Sequence, residues 1–164
     1  MTAATEVSPM ARASQEGTTW TILVMLSVAH MLNDTMQSVI AASYPILKES
    51  FALDYGQIGL VTMCFQVTAS VLQPIVGIFT DRHPMPFSLA FGMGSTLIGL
   101  ILMSVAPSFA VLLVAVGMIG TGSAVFHPES SRMARLASGG RHGLAQSLFQ
   151  VGGNTGSALG PLLA

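Results

Sequence analysis

Asp34 interrupts the first long apolar stretch of the chain, in the run Ala29-His-Met-Leu-Asn-Asp-Thr-Met-Gln37. A carboxylate there needs a proton, a partner or a water-filled cavity, because an apolar surrounding solvates none of its charge. On a helix, His30 lies one turn before it and Gln37 one turn after, so the three share a face, with Asn33 beside them. Such a stripe could bind and release protons or hold a polar substrate. Two further stripes carry amides: Gln66 with Gln73, and Gln146 with Gln150 and Asn154 at successive helical turns. Amides within apolar helices turn toward protein or a hydrated cavity, where they either bond neighbouring helices or touch substrate.

The elements that position these residues follow from composition. The chain is 51% hydrophobic and only 8% charged, against about 25% charged in a soluble domain, and its mean hydropathy is +0.68. A water-soluble surface cannot be built from these residues. Five apolar segments, 20–46, 58–79, 87–105, 109–126 and 144–164, approach the roughly 20 residues that cross a hydrocarbon layer. They lack the alternation of a barrel strand, so each is predicted to be a helix that satisfies its own backbone. Short polar connections predict antiparallel neighbours in one bundle: an all-α, polytopic membrane fold. Residues 1–19 read as a solvated, poorly ordered tail.

Arg12, Arg82, Arg132, Arg135 and Arg141 fall on one side of this arrangement and only Lys48 on the other, which predicts a cytoplasmic N-terminus. A cleaved signal peptide is the weaker reading of the first segment, because its apolar run is long and contains Asp34. The last segment lacks a polar exit flank, which reads as a piece of a longer protein; a natural five-helix protein is the alternative. The single cysteine, Cys64, supports no disulfide framework.

Other chemistries find less support. Gly117, Gly120 and Gly122 permit close helix packing, but no strand precedes them and no Lys-Ser or Lys-Thr pair follows, so no phosphate loop is expected. His30 and His127 belong to no local His pair or cysteine cluster, and no metal or other cofactor is expected. No nucleophile and base can be paired from sequence, and nucleic acid is not an expected partner. In the block His127-Pro-Glu-Ser-Ser-Arg132, Glu129 and Arg132 are spaced to pair if the helix continues through Pro128, as a structural bridge or as a conformation-dependent one.

Gly77-Ile-Phe-Thr-Asp81-Arg82 resembles the G-x-x-x-D-R loop motif of the major facilitator superfamily, although His-Pro-Met-Pro follows where that family has glycine and further basic residues. Gly156, Gly160 and Pro161 resemble part of the family's fifth-helix antiporter motif, with Ala164 at a position where glycine is usual. The stretches Leu72-Gln-Pro-Ile-Val-Gly-Ile-Phe-Thr-Asp-Arg82 and Gly120-Thr-Gly-Ser-Ala-Val-Phe-His-Pro-Glu-Ser-Ser-Arg132 carry the likeness over most of the chain from Trp20 onward.

What the resemblance implies is most of the N-terminal half of a twelve-helix transporter of a bacterial inner membrane. Such a protein would export a small drug, the phosphonate fosmidomycin, against protons, by rocking its halves about a central site. Its partners would be protons, the drug, membrane lipid and the remaining C-terminal helices, without which these five helices are expected to be inactive. Asp81 and Arg82 would belong to the cytoplasmic gating loop, with Gly77, and Asp81 would pair with Arg132 in one access state. Asp34, tuned by His30, would exchange the proton. The rival reading is a nontransporting membrane assembly protein whose polar stripes join helices; a lipid-active enzyme is a third.

Overall fold

The computed structural model describes residues 17–83 and 85–163. Within them every predicted apolar segment is helical: α1 (Trp20–Ala42), α2 (Tyr44–Ser50), α3 (Tyr55–Arg82), α4 (Ser88–Ser104), α5 (Phe109–Leu136) and α6 (His142–Leu159), closed by a 3-10 turn at Gly160–Leu162. The described residues contain no strand.

The boundaries depart from the apolar runs in instructive ways. The first run does not stay one helix to residue 46; it breaks at Ser43, and α2 restarts with Pro45 in its first turn, where a missing N–H costs nothing. The α3 helix starts at a capping box: Asp54 accepts from the Gln57 backbone N–H at 2.7 Å, and Gln57 Oε1 accepts from the Asp54 N–H at 2.9 Å. The largest departure concerns α5. The apolar segment predicted over 109–126 continues as helix through Pro128 to Leu136. Buried Phe126, Glu129, Ser130 and Ala134 make that extension an interior element. Pro128 removes one helical donor, yet packing outweighs it. The reversal into α6 then occurs at Gly139 and Gly140, both at positive φ, which glycine adopts without a Cβ penalty.

Nor is the N-terminal segment free as far as residue 19. Thr19 N–H donates to the Ala137 carbonyl and Thr18 Oγ1 to the Ser138 carbonyl, each at 2.9 Å, which ties the start of α1 to the α5–α6 turn. Residues 1–16, most of the predicted tail, lie outside the described residues.

The chief contacts are α4 with α5, α1 with α6, and α3 with α5. Thus α3 packs chiefly on α5 rather than on α4, the helix that follows it along the chain, despite the short loop between them. Close approach is built from small residues. A Cβ on Gly120 would collide with Thr68 Oγ1 and sit 2.9 Å from the Phe65 carbonyl, and one on Gly122 would collide with Thr96. One apolar cluster joins Ile40, Val61, Leu112 and Ile119, and a second joins Leu23, Leu26, Phe126 and Phe149. Large apolar side chains such as Met25, Ile75, Phe91 and Val114 remain exposed around the outside. Such a surface needs lipid or other helices against it. By length and composition alone α3 and α5 are able to cross a membrane, and α4 is apolar but shorter.

Candidate functional site

Asp34 sits where α1 and α5 meet, and it brings together two histidines that are far apart in sequence. Its Oδ2 lies 3.3 Å from His30 Nε2, one turn earlier on α1, and its Oδ1 lies 3.2 Å from His127 Nε2 on α5. His30 is 2% exposed and Asp34 and His127 are 16% and 25% exposed, so the trio lines the edge of a cavity rather than a sealed core.

Each ring is anchored from behind. His30 Nδ1 donates to the Phe149 carbonyl of α6 at 2.9 Å, and its ring stacks on Phe149 with centroids 4.0 Å apart. His127 Nδ1 donates to the Ser123 carbonyl at 2.9 Å, and the two imidazoles meet edge-on at 5.1 Å. Asn33, fully buried, donates Nδ2 to Asp34 Oδ1 at 3.3 Å while its own Oδ1 has no partner. Gly153 on α6 is what lets the trio form. A Cβ there would lie 2.9 Å from Asp34 Oδ2 and would strike the His30 ring.

Two cavities share Asp34 as a wall. One, of about 350 Å³, is lined by His30, His127, Gln73, Gln146 and Gln150. The other, of about 300 Å³, lies beside Gln37, Gln66, Tyr44 and Thr62. The predicted glutamine pair of α3 is therefore divided, Gln73 to one cavity and Gln66 to the other. On α6, Gln146 is tied to α5, accepting from Ser131 Oγ at 3.1 Å and donating to the Ser131 carbonyl at 3.0 Å. Gln150 donates to Asn154 at 3.2 Å, but Asn154 itself is exposed and lines neither cavity.

Sequence reasoning singled out Asp34 and His30 and missed the part played by His127. The signal was present, since an ionisable residue within an apolar helix is a site candidate. Distance along the chain hides it: His127 belongs to no local His pair, and the donors converge from two helices. Their ligand atoms lie within 4.8 Å of one another, compact enough to surround a cation, although three donors fall short of the four of a closed structural zinc site.

A separate cluster occupies the end of the bundle where α3 and α5 finish. Arg132 donates from Nη2 to Glu129 Oε2 at 2.9 Å and from Nε to Oε1 at 3.3 Å, and Ser88 Oγ of α4 donates to Oε2 at 3.1 Å. Gly77, Asp81 and these two residues line a cleft of about 260 Å³. The expected Asp81–Arg132 pair is absent among the described residues, because the guanidinium is held by the buried Glu129 on its own helix. Arg82 does not line that cleft. Gly156 and Gly160 pack α6 directly on Met31 and Ser38 of α1, and Pro161 opens the terminal 3-10 turn.

Comparison with known proteins gives this arrangement a context. The chain is 57% identical over 94% of its length to the fosmidomycin resistance protein of Escherichia coli K12. It is 45% identical over 89% of its length to the uncharacterised MFS-type transporter YfnC of Bacillus subtilis 168, and 25% identical over 88% to the multidrug resistance protein fnx1 of Schizosaccharomyces pombe. It spans 38%, 36% and 28% of those proteins respectively. No solved structure matches it. The profile of the Major Facilitator Superfamily matches residues 26–164, and with the helical bundle already described, the chain belongs to that superfamily of membrane transporters.

Proposed function

We propose that the full-length protein carrying this chain exports a small drug, fosmidomycin, in exchange for protons, by alternating access in a bacterial inner membrane with its N-terminus cytoplasmic. The observation that carries the reading is the Asp34 carboxylate held between two imidazoles on the wall of a glutamine-lined cavity. The 57% identity to a fosmidomycin resistance protein supports the choice of drug. The remaining C-terminal helices complete the cavity, and this chain without them does not transport.

In the cycle, the cluster around Asp34 takes up protons while the cavity faces the acidic exterior and releases them toward the cytoplasm. Proton and drug bias opposite access states, which is exchange without covalent chemistry. Among the described residues no Lys or Arg lines either cavity. If the phosphonate sat directly on the protonated cluster, each ligand would favour binding of the other, the linkage of symport rather than exchange. The phosphonate is therefore met by the remaining helices, and the glutamine amides face the uncharged part of the drug.

Fosmidomycin flux into inverted vesicles, driven by an imposed proton gradient, tests the reading with the full-length protein and its Asp34→Asn variant at equal abundance. Gradient-driven flux that disappears in Asp34→Asn supports it. Gradient-driven flux that survives in the variant removes Asp34 from coupling, and no gradient-driven flux in the folded native protein refutes exchange of this drug.

A further inference from the structure

The hydrogens that the central cluster must contain can be counted from its contacts. His30 Nδ1 faces the Phe149 carbonyl and His127 Nδ1 the Ser123 carbonyl, each at 2.9 Å, with the Ser123 hydroxyl 3.1 Å from the same His127 nitrogen. A carbonyl oxygen only accepts whereas a hydroxyl does either, so the shorter carbonyl contacts place hydrogen on both Nδ1 atoms, and in a neutral ring Nε2 is then a bare acceptor. Yet both Nε2 atoms face oxygens of one carboxylate, at 3.3 and 3.2 Å. An ionised carboxylate is also acceptor-only. Each contact therefore requires a proton between its heavy atoms, and two contacts require two.

We infer that His30, Asp34 and His127 form a single two-proton store, loaded in the geometry described, and that each transport cycle exchanges two protons through it. The inference rests on the proton-coupled reading above and adds its stoichiometry and the role of His127. Loaded, the cluster is a carboxylate between two imidazoliums, or a carboxylic acid donating to one ring beside one imidazolium; its net charge is +1 in either form. Emptied, it is −1. With one proton, one of the two contacts sets acceptor against acceptor and opens. The protons thus belong to the cluster rather than to any one residue.

Among the described residues, nothing else facing this cavity can substitute for a member. Its other polar walls are Gln73 from α3, Ser131 from α5, and Gln146 and Gln150 from α6, none of which titrates. His127 stands on a different helix from the other two, so the store joins α1 to α5 and exists only where those helices pack together.

The test is the substrate gradient at zero net flux, measured with fosmidomycin in proteoliposomes of the full-length protein. Potential is clamped at zero and both pH values lie above the last ionisation of the phosphonate. One pH unit is tenfold in proton activity, so exchange of two protons balances a drug ratio of about 100-fold, and exchange of one balances about 10-fold. The expected result is about 100-fold for the native protein and about 10-fold for His127→Gln. A native ratio near 10-fold, or an unchanged ratio in the variant, overturns the inference while leaving proton coupling standing. No pH-driven flux in the native protein ends both.

If His127→Gln fails to transport, nitrogen-15 NMR of the histidine rings in the native full-length protein decides the matter. Joint gain of Nε2 hydrogen by both rings, with Nδ1 hydrogen retained throughout, supports the store. A His127 ring that stays singly protonated down to the pH of maximal transport overturns it.

Discussion

Gly153→Ala is the sharpest probe of how the site is held. The added Cβ would lie 2.9 Å from Asp34 Oδ2 and closer still to the His30 ring, where contacts normally begin near 3.4 Å. His30 cannot retreat easily: it is stacked on Phe149, bonded to the Phe149 carbonyl and 2% exposed. Nor can α6 move away cheaply, because Gly152 and Gly156 on either side already bring its backbone against Ser27 and Met31 of α1. Overfilling a packed contact of this kind costs about 1–3 kcal/mol. At about 1.4 kcal/mol per tenfold, the population with the His30–Asp34 contact intact should fall roughly 5- to 150-fold. The assay compares gradient-driven drug flux with drug exchange in the absence of a gradient, in full-length protein at matched abundance. Gradient-driven flux should fall by more than exchange does, since the change strikes the proton cluster and leaves the glutamine-lined wall in place. Gly94→Ala serves as control, because a Cβ there meets nothing within 4 Å. If Gly153→Ala behaves like Gly94→Ala in both assays, the packing argument and the coupling role drawn from it are refuted together.

Other consequences are open to simpler measurements. Arg132→Gln should lower the thermal stability of the full-length protein by more than the double variant Glu129→Gln/Arg132→Gln, because the single change leaves a buried carboxylate without its guanidinium and with only hydroxyl partners; equal losses would show that the pair is not a desolvated unit. In the α3–α5 interface, Gly120→Ala should destabilise by about 1–3 kcal/mol, whereas Gly117→Ala should be nearly neutral, since its Cβ would meet Cys64 Sγ at an ordinary 3.6 Å. Denaturation midpoints of the two variants would check this, and similar values would mean that the interface yields. Disrupting the tie between the α1 start and the α5–α6 turn with Thr18→Val should raise amide exchange around Ser138 without touching flux; exchange unchanged there would show that the Thr19 backbone bond holds the junction alone.

Several features of this protein were legible without coordinates, and for a common reason. The helical class, the approximate positions of the apolar elements and the oddity of a carboxylate at Asp34 all depend on composition and on residues within one or two helical turns. Burial in an apolar medium constrains each segment separately: it must close its own hydrogen bonds, and any charge inside it stands out against its neighbours. The Glu129–Arg132 pair was likewise readable as soon as a continuous helix was assumed.

Tertiary structure decided everything that depends on which helix meets which. Short loops limit how far apart consecutive helices can lie, but they do not choose partners; side-chain volumes do, and the glycines that admit Thr68, Thr96 and Ser27 place α5 between α3 and α4 and seat α6 on α1. The extension of α5 past Pro128 follows from the burial of Phe126, Glu129 and Ser130, a cooperative gain that no local propensity contains. That extension and that helix order bring His127 to Asp34. Alone in sequence, Asp34 is a chargeable residue in need of a partner; only packing between distant segments supplies the second imidazole.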